Sequence, residues 1–203
     1  SGGAGLVSRG ARGAVPARGA PRPRPPPAAP PTAAAPASEP PLPEPPPFPG
    51  WPTMRVGEFA VAGAGAGGCW SVYYGDDVWT SDQCGPGSFP LDAAATIIAA
   101  GSDAVVGYDG DARLAWGTIG GRRIELSVRA APISSLSALG EGEQDELPAG
   151  GATLDLVTRF DDGFVLANMP RDPGDYLVEV FAAVQIGDWT WTGTRFYYRI
   201  VVE

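Results

Sequence analysis

The sequence has no histidine and no lysine, so all 14 of its cationic side chains are arginine. With neither residue the chain cannot build a Ser-His-Asp or Cys-His centre, a histidine metal site, a Schiff-base lysine or a P-loop lysine. Long apolar runs are missing too. The best stretch, residues 93–100, falls far short of the roughly 18 residues a membrane helix needs, so no membrane-spanning helix is expected. Cysteine is scarce: Cys69 and Cys84 stand alone, with 14 residues between them. Two thiols without histidine cannot complete a tetrahedral zinc site, and this spacing is not a Cys-x-x-Cys redox pair. These absences argue against catalysis, and no cofactor is expected.

A disulfide between Cys69 and Cys84 is the expected use of the pair. A loop of this size contributes on the order of 3 kcal/mol in the chain-entropy description, and it implies an oxidising, extracytoplasmic compartment. The chain starts at Ser1 rather than Met, as a mature product or a fragment would. Ala66-Gly67-Gly68-Cys69 has the outline of a lipoprotein cleavage box, but the continuous apolar core that a signal needs is not upstream of it.

Charge is unevenly placed. Residues 1–50 hold five arginines against Glu39 and Glu44, a net of 5 − 2 = +3, whereas the remainder holds nine arginines against 21 carboxylates, a net of 9 − 21 = −12. A globular part this acidic repels a phosphate backbone, so nucleic acid is not an expected partner. Five spread arginines are a weak signal for an anionic surface.

Sixteen of the 23 prolines lie in residues 1–50, with Leu6, Val7, Val15, Leu42 and Phe48 as the only bulky apolar side chains there. Such a segment cannot bury enough surface to offset its ordering entropy. It reads as a disordered or extended arm with polyproline II character from Pro21 to Pro49, serving as a spacer or lying on a partner subunit. Residues 51–68 read as a Gly/Ala hinge, and 69–203 as the folded domain. Strands are expected at 70–74, 94–99, 104–108, 113–118, 122–130, 152–159, 163–167, 176–186 and 194–202, separated by Gly, Asp and Pro turns. No segment sustains a 3.6-residue period. The fold class is therefore all-β, an antiparallel sandwich or barrel.

Alternation assigns faces. Ile124, Leu126 and Val128 point one way and Arg123, Glu125, Ser127 and Arg129 the other, which predicts one buried and one wet face. Likewise Phe196, Tyr198, Ile200 and Val202 suit a core, whereas Arg195, Tyr197 and Arg199 suit an outer face. Residues 139–151, with Glu141, Glu143, Asp145 and Glu146, read as a solvated acidic loop.

Asp172-Pro173-Gly174-Asp175-Tyr176 resembles the Asp-x-Gly-x-Tyr tyrosine corner of immunoglobulin-like sandwiches. Val178 stands where antibody domains carry a cysteine, so their inter-sheet disulfide is not implied. Gly68-Cys69-Trp70, then Cys84, then residues 173–181 and the closing Tyr197-Tyr198-Arg199-Ile200-Val201 are together similar to the small immunoglobulin-like β-sandwich domains of bacterial exported proteins and lipoproteins. That resemblance covers most of residues 67–203. It implies export and a binding or structural role, and brings no catalytic residues with it.

Other patterns weigh less. Gly63-Ala64-Gly65-Ala66-Gly67-Gly68 matches Gly-x-Gly-x-x-Gly, but strand formers follow where the dinucleotide motif needs a helix. Asp109 and Asp111 could offer oxygen ligands to calcium, yet Asp-Gly-Asp is equally an ordinary turn. A pair of carboxylates could hydrolyse a glycoside without histidine, but sequence does not place one. Trp189 and Trp191, followed by Arg195, Tyr197 and Arg199, share one outer face if the register survives Gly193, giving a stripe suited to a protein partner or, by stacking, to a glycan. The alternative is that both tryptophans cover an end of the sandwich.

The expectation is an extracytoplasmic, non-catalytic module that makes protein–protein contacts in a cell-envelope or extracellular assembly. A carbohydrate- or small-ligand-binding module is the second reading, and a histidine-free carboxylate hydrolase a remote third.

Overall fold

Short runs of β-branched and aromatic residues, each closed by a glycine or aspartate turn, favour strands over helices. The computed structural model describes residues 41, 43–75, 77–84, 88–119, 121–139 and 146–203, with backbone alone at 77–84, 119 and 122. The chain divides into the units Ser1–Leu42 and Pro43–Glu203. The architecture below is that of the second unit, so the arm expected over 1–50 lies largely outside the described residues.

In chain order the strands begin with β1 (Thr53–Val56), β2 (Phe59–Val61), β3 (Gly63–Gly67), β4 (Cys69–Tyr74), β5 (Asp77–Cys84) and β6 (Thr96–Ile98). Next come β7 (Asp103–Gly107), β8 (Arg113–Ala115), β9 (Gly117–Ile119), β10 (Arg122–Ile124) and β11 (Ser127–Pro132), followed by a short helix, α1 (Ile133–Ser137). The rest are β12 (Leu154–Asp155), β13 (Thr158–Asp161), β14 (Phe164–Asn168), β15 (Gly174–Phe181), β16 (Ala183–Ile186), β17 (Trp189–Thr192) and β18 (Arg195–Val202). The fold is all-β, as expected.

Three main sheets form. The first has the order β13-β14-β7-β1-β2, the second β12-β11-β15-β18-β3, and the third β5-β4-β17-β16-β8; β9 and β10 make a separate hairpin. Among the described residues every pairing is antiparallel except that of β6, which runs parallel to β18. The first sheet presents Met54, Ala104, Val106 and Val165 to one continuous core, where they meet Val178, Phe196 and Tyr198 of the second sheet and Val72, Leu114 and Val184 of the third. The result is sandwich-like.

The second and third sheets are one set of strands bent at a corner. Only Ala182 separates β15 from β16, Gly68 separates β3 from β4, and Gly193-Thr194 separates β17 from β18. Gly68 and Gly193 have φ of +83° and +94°, a region L side chains disfavour. A Cβ on Gly68 would lie 2.6 Å from the Gly193 carbonyl oxygen, and one on Gly193 would strike the Cys69 carbonyl. Two backbones cross here with no room for a side chain.

The corner reverses the alternation. Trp191 and Phe196 are an odd number of residues apart, yet both face the main core. The register therefore does not survive Gly193. Trp189 and Trp191 are 7% and 3% exposed, packed with Val184 and Leu114 rather than presented outward.

The expected wet face of the second sheet is also covered. Tyr197, Leu177 and Ala131 form a second apolar cluster with Leu136 of α1, Leu147, Phe89 and Leu91. The strand expected over 122–130 is broken: residues 122–124 form β10, in the hairpin with β9, and β11 begins at Ser127 in the second sheet. There and over 194–202 the reverse face is covered and not wet. Alternation holds along β18, but a cover of loop and helix lies over its reverse side. Leu147 plugs that cover, so the end of the expected acidic loop is tied down rather than solvated; residues 140–145 lie outside the described residues.

Residues 51–68 are not a hinge. They form β1, β2 and β3, with Met54 and Val61 in the core. Their glycines answer to packing: a Cβ on Gly63 would meet the Trp51 ring at 2.5 Å, and one on Gly65 would meet Pro90 at 3.2 Å. The Gly-x-Gly-x-x-Gly stretch thus leads into strand β4 and not into a helix.

Candidate functional site

On the covered side of the second sheet the described residues bring four charged side chains together. Glu179 lies in β15 between Val178 and Val180 and is fully buried. A carboxylate there is tolerated only with partners for its charge and lone pairs. Arg129, opposite it on β11, donates from Nε to Oε1 at 3.0 Å and makes a second short contact to the same oxygen from Nη2. The Glu179 Oε2 accepts the Leu147 backbone N–H at 2.8 Å and the Tyr197 hydroxyl at 3.4 Å. Glu146 bridges outward, accepting from Arg129 Nη2 at 3.1 Å and pairing with Arg195 Nη2. The Arg195 guanidinium lies over the Phe181 ring, 5.0 Å from its centroid.

Burial works against the Arg129 charge, but the hydrogen bonds and charges of Glu179 and Glu146 outweigh it and raise its pKa above the ordinary arginine value. Both Glu179 oxygens are occupied by protein. The arrangement fastens residues 146–147 to β11, β15 and β18, and it offers a substrate no access to the Glu179 carboxylate.

Arg199 works in the same way. It grips Asp175 through two parallel bonds, 3.1 Å from Nε and 2.7 Å from Nη2, and its Nη1 donates at 2.8 Å to the carbonyls of both Leu91 and Ala93. The Asp175 pairing pushes its pKa up. Arg195, Tyr197 and Arg199 are thus brought together on one face, but as the underside of a cover, with Trp189 and Trp191 on the opposite side of the corner. The predicted five-residue binding stripe does not form.

The remaining sequence candidates fall as follows. The Tyr176 hydroxyl donates to the Asp172 carbonyl at 3.1 Å, and its ring folds back so closely over Gly174 that a Cβ there would stand 3.1 Å away. Cys69 and Cys84 are directly opposed in the β4–β5 ladder. Asp109 faces Arg55 at 3.7 Å, both well exposed, and Asp111 borders an open cleft. Among the described residues no three metal-binding side chains gather, and no helix is long and apolar enough to cross a membrane.

Sequence reasoning missed Glu179, although a signal was present: one acid within an otherwise apolar stretch of strand requires a buried counter-charge. It also missed Trp116. This residue falls between β8 and β9, which breaks the strand expected over 113–118, and its side chain is 55% exposed. Its ring meets Phe160 edge-on at 5.7 Å, beside a cleft of about 370 Å³ that Arg123, Glu125, Leu126 and Thr158 also line. No protein family, curated protein or solved structure matches the chain.

Proposed function

We propose that the chain is a non-catalytic extracytoplasmic module that contacts protein partners in a cell-envelope or extracellular assembly, using the Trp116 cleft. The observation that carries this reading is an exposed indole backed by Phe160, with Leu126 beside it and Arg123 and Glu125 at its rim. An aromatic centre with a charged rim is the usual anatomy of an energetically dominant contact. The same flat ring, with Thr158 close by, also suits a sugar, which keeps a carbohydrate-binding module as the second reading. The hydrolase reading is weakest, because the two carboxylates that Arg129 brings together are neutralised by it.

Finer parts of the proposal rest on two further observations. The Tyr176–Asp172 hydrogen bond supports a tyrosine corner and hence an immunoglobulin-like sandwich. The opposed positions of Cys69 and Cys84 support a cross-strand disulfide, since facing Cα atoms in an antiparallel ladder lie about 4.5–5.5 Å apart, within disulfide reach. The disulfide in turn supports an oxidising compartment.

Trp116→Ala tests the function. The variant is expected to keep its thermal stability while losing capture of envelope proteins or, on the second reading, glycan-array binding and its fluorescence change. A variant that retains stability and every interaction would sink both readings.

A further inference from the structure

The proline-rich sequence reaches into the sandwich unit. Five of residues 43–49 are proline, which fixes φ at those positions, and Glu44 and Phe48 each precede a proline, which holds them extended. Covalent geometry alone therefore gives residues 43–49 polyproline II character. Among the described residues no backbone–backbone hydrogen bond ties this strap to a strand.

What holds the strap is aromatic. Phe48 stacks on Trp70 with ring centroids 4.6 Å apart, and lies 6.4 Å from Trp191 and 6.3 Å from Phe196. Pro43, Glu44 and Pro46 line a cleft of about 830 Å³ together with Tyr74, Trp189 and Arg113. Just beyond, the buried hydroxyls of Tyr108 and Tyr198 donate to the carbonyls of Gly50 and Pro52 at 2.8 and 2.7 Å. An aromatic pocket for the one large side chain of an extended, proline-fixed segment is what such a segment requires of a receptor.

We propose that the aromatic corner around Trp70 and Trp191 is a recognition pocket for a phenylalanine carried on a proline-rich strap. In the structure it is filled by the chain's own Phe48, and residues 43–49 of a second copy are the ligand it would take in exchange. The Phe48 ring is the anchor, and the prolines present it at low entropic cost because they are already extended. This pocket is separate from the Trp116 cleft, and its test leaves that reading untouched.

The probe is a synthetic peptide of residues 41–50, titrated into the full chain carrying Phe48→Ala and into the unsubstituted chain, with binding read by calorimetry and tryptophan fluorescence. Saturable binding to the variant is expected, and at least tenfold weaker binding to the unsubstituted chain, where the tethered strap competes at roughly millimolar effective concentration. The peptide with its phenylalanine changed to alanine is expected to bind neither. Equal affinity for both proteins, or a folded variant that ignores the peptide, overturns the proposal. If Phe48→Ala does not fold, the chain with Pro45→Gly, Pro46→Gly and Pro47→Gly keeps the anchor, loosens the strap, and should bind the peptide more tightly than the unsubstituted chain does. If neither variant folds, the strap is part of the core and not an exchangeable ligand, and the proposal falls.

Discussion

Glu179 stands alone among the apolar residues of β15, and its surroundings follow from the need to keep one carboxylate satisfied away from water. Arg129, Tyr197 and the Leu147 amide occupy its oxygens, and Glu146 occupies the outer edge of Arg129. Removing one partner of a buried pair leaves the other charge uncompensated, which costs more than the pair itself contributes. Glu179→Gln is therefore expected to lower stability by about 3 kcal/mol in urea unfolding. Adding Arg129→Met to Glu179→Leu should recover a large part of that loss, because two packed apolar residues need no counter-charge. A double variant no better than Glu179→Gln would mean that packing and not charge dominates the site.

At the scale of elements, the corner between the second and third sheets rests on two glycines in contact. Gly193→Ala forces an L residue to φ near +94° and drives its Cβ into the Cys69 carbonyl. Gly187→Ala serves as the control. Gly187 has φ of +55° in the two-residue loop between β16 and β17, with nothing within 4 Å of the added atom. The control should lose about 1–2 kcal/mol from backbone conformation alone, and Gly193→Ala clearly more, in parallel denaturant melts. Equal losses would show that the corner has slack.

The same corner explains why so much of the sequence reading succeeded while the site did not. Strand periods at 104–108 and 194–202 were legible because alternation is local, and the core residues Phe196, Tyr198 and Ile200 follow from it, whereas the strand expected over 122–130 breaks into β10 and β11 of different sheets. Whether alternation carries across Gly193 depends on Gly68, some 125 residues away in sequence, and no local pattern reports that crossing. Gly63 and Gly65 misled for a related reason. Their small size serves the rings of Trp51 and Pro90, which a composition count reads as flexibility.

At the scale of the molecule, lacking histidine and lysine empties the middle of the titration curve. If Cys69 and Cys84 are joined, the ordinary side-chain values leave a gap between about pH 4 and about pH 10 that histidine and free cysteine would otherwise fill. Melting temperature is expected to be nearly flat from about pH 6 to 9; a slope there, or two alkylatable thiols in the native protein, would count against the disulfide. Above that window the sign is fixed by Tyr108 and Tyr198. Burial raises both pKa values, for Tyr198 with a further push from Tyr108. The unfolded chain then releases protons that the folded chain keeps, so the stability these groups contribute is present below about pH 10 and is lost as pH rises beyond it. Absorbance near 295 nm should accordingly show these two of the six tyrosines ionising only on unfolding.

The position of β18 has a consequence for how the chain folds. This strand pairs with β15, β3 and β6 at once, so the second sheet is complete only once residues 195–202 have joined it. Its partner Ala66 is synthesised 130 residues before Phe196. Loop closure over such a distance is slow, and among the described pairings β3 and β6 have no ladder until residues 195–202 join them. The second sheet therefore closes in a late, slow folding step, set by the sequence separation of its strands and not by their local propensities.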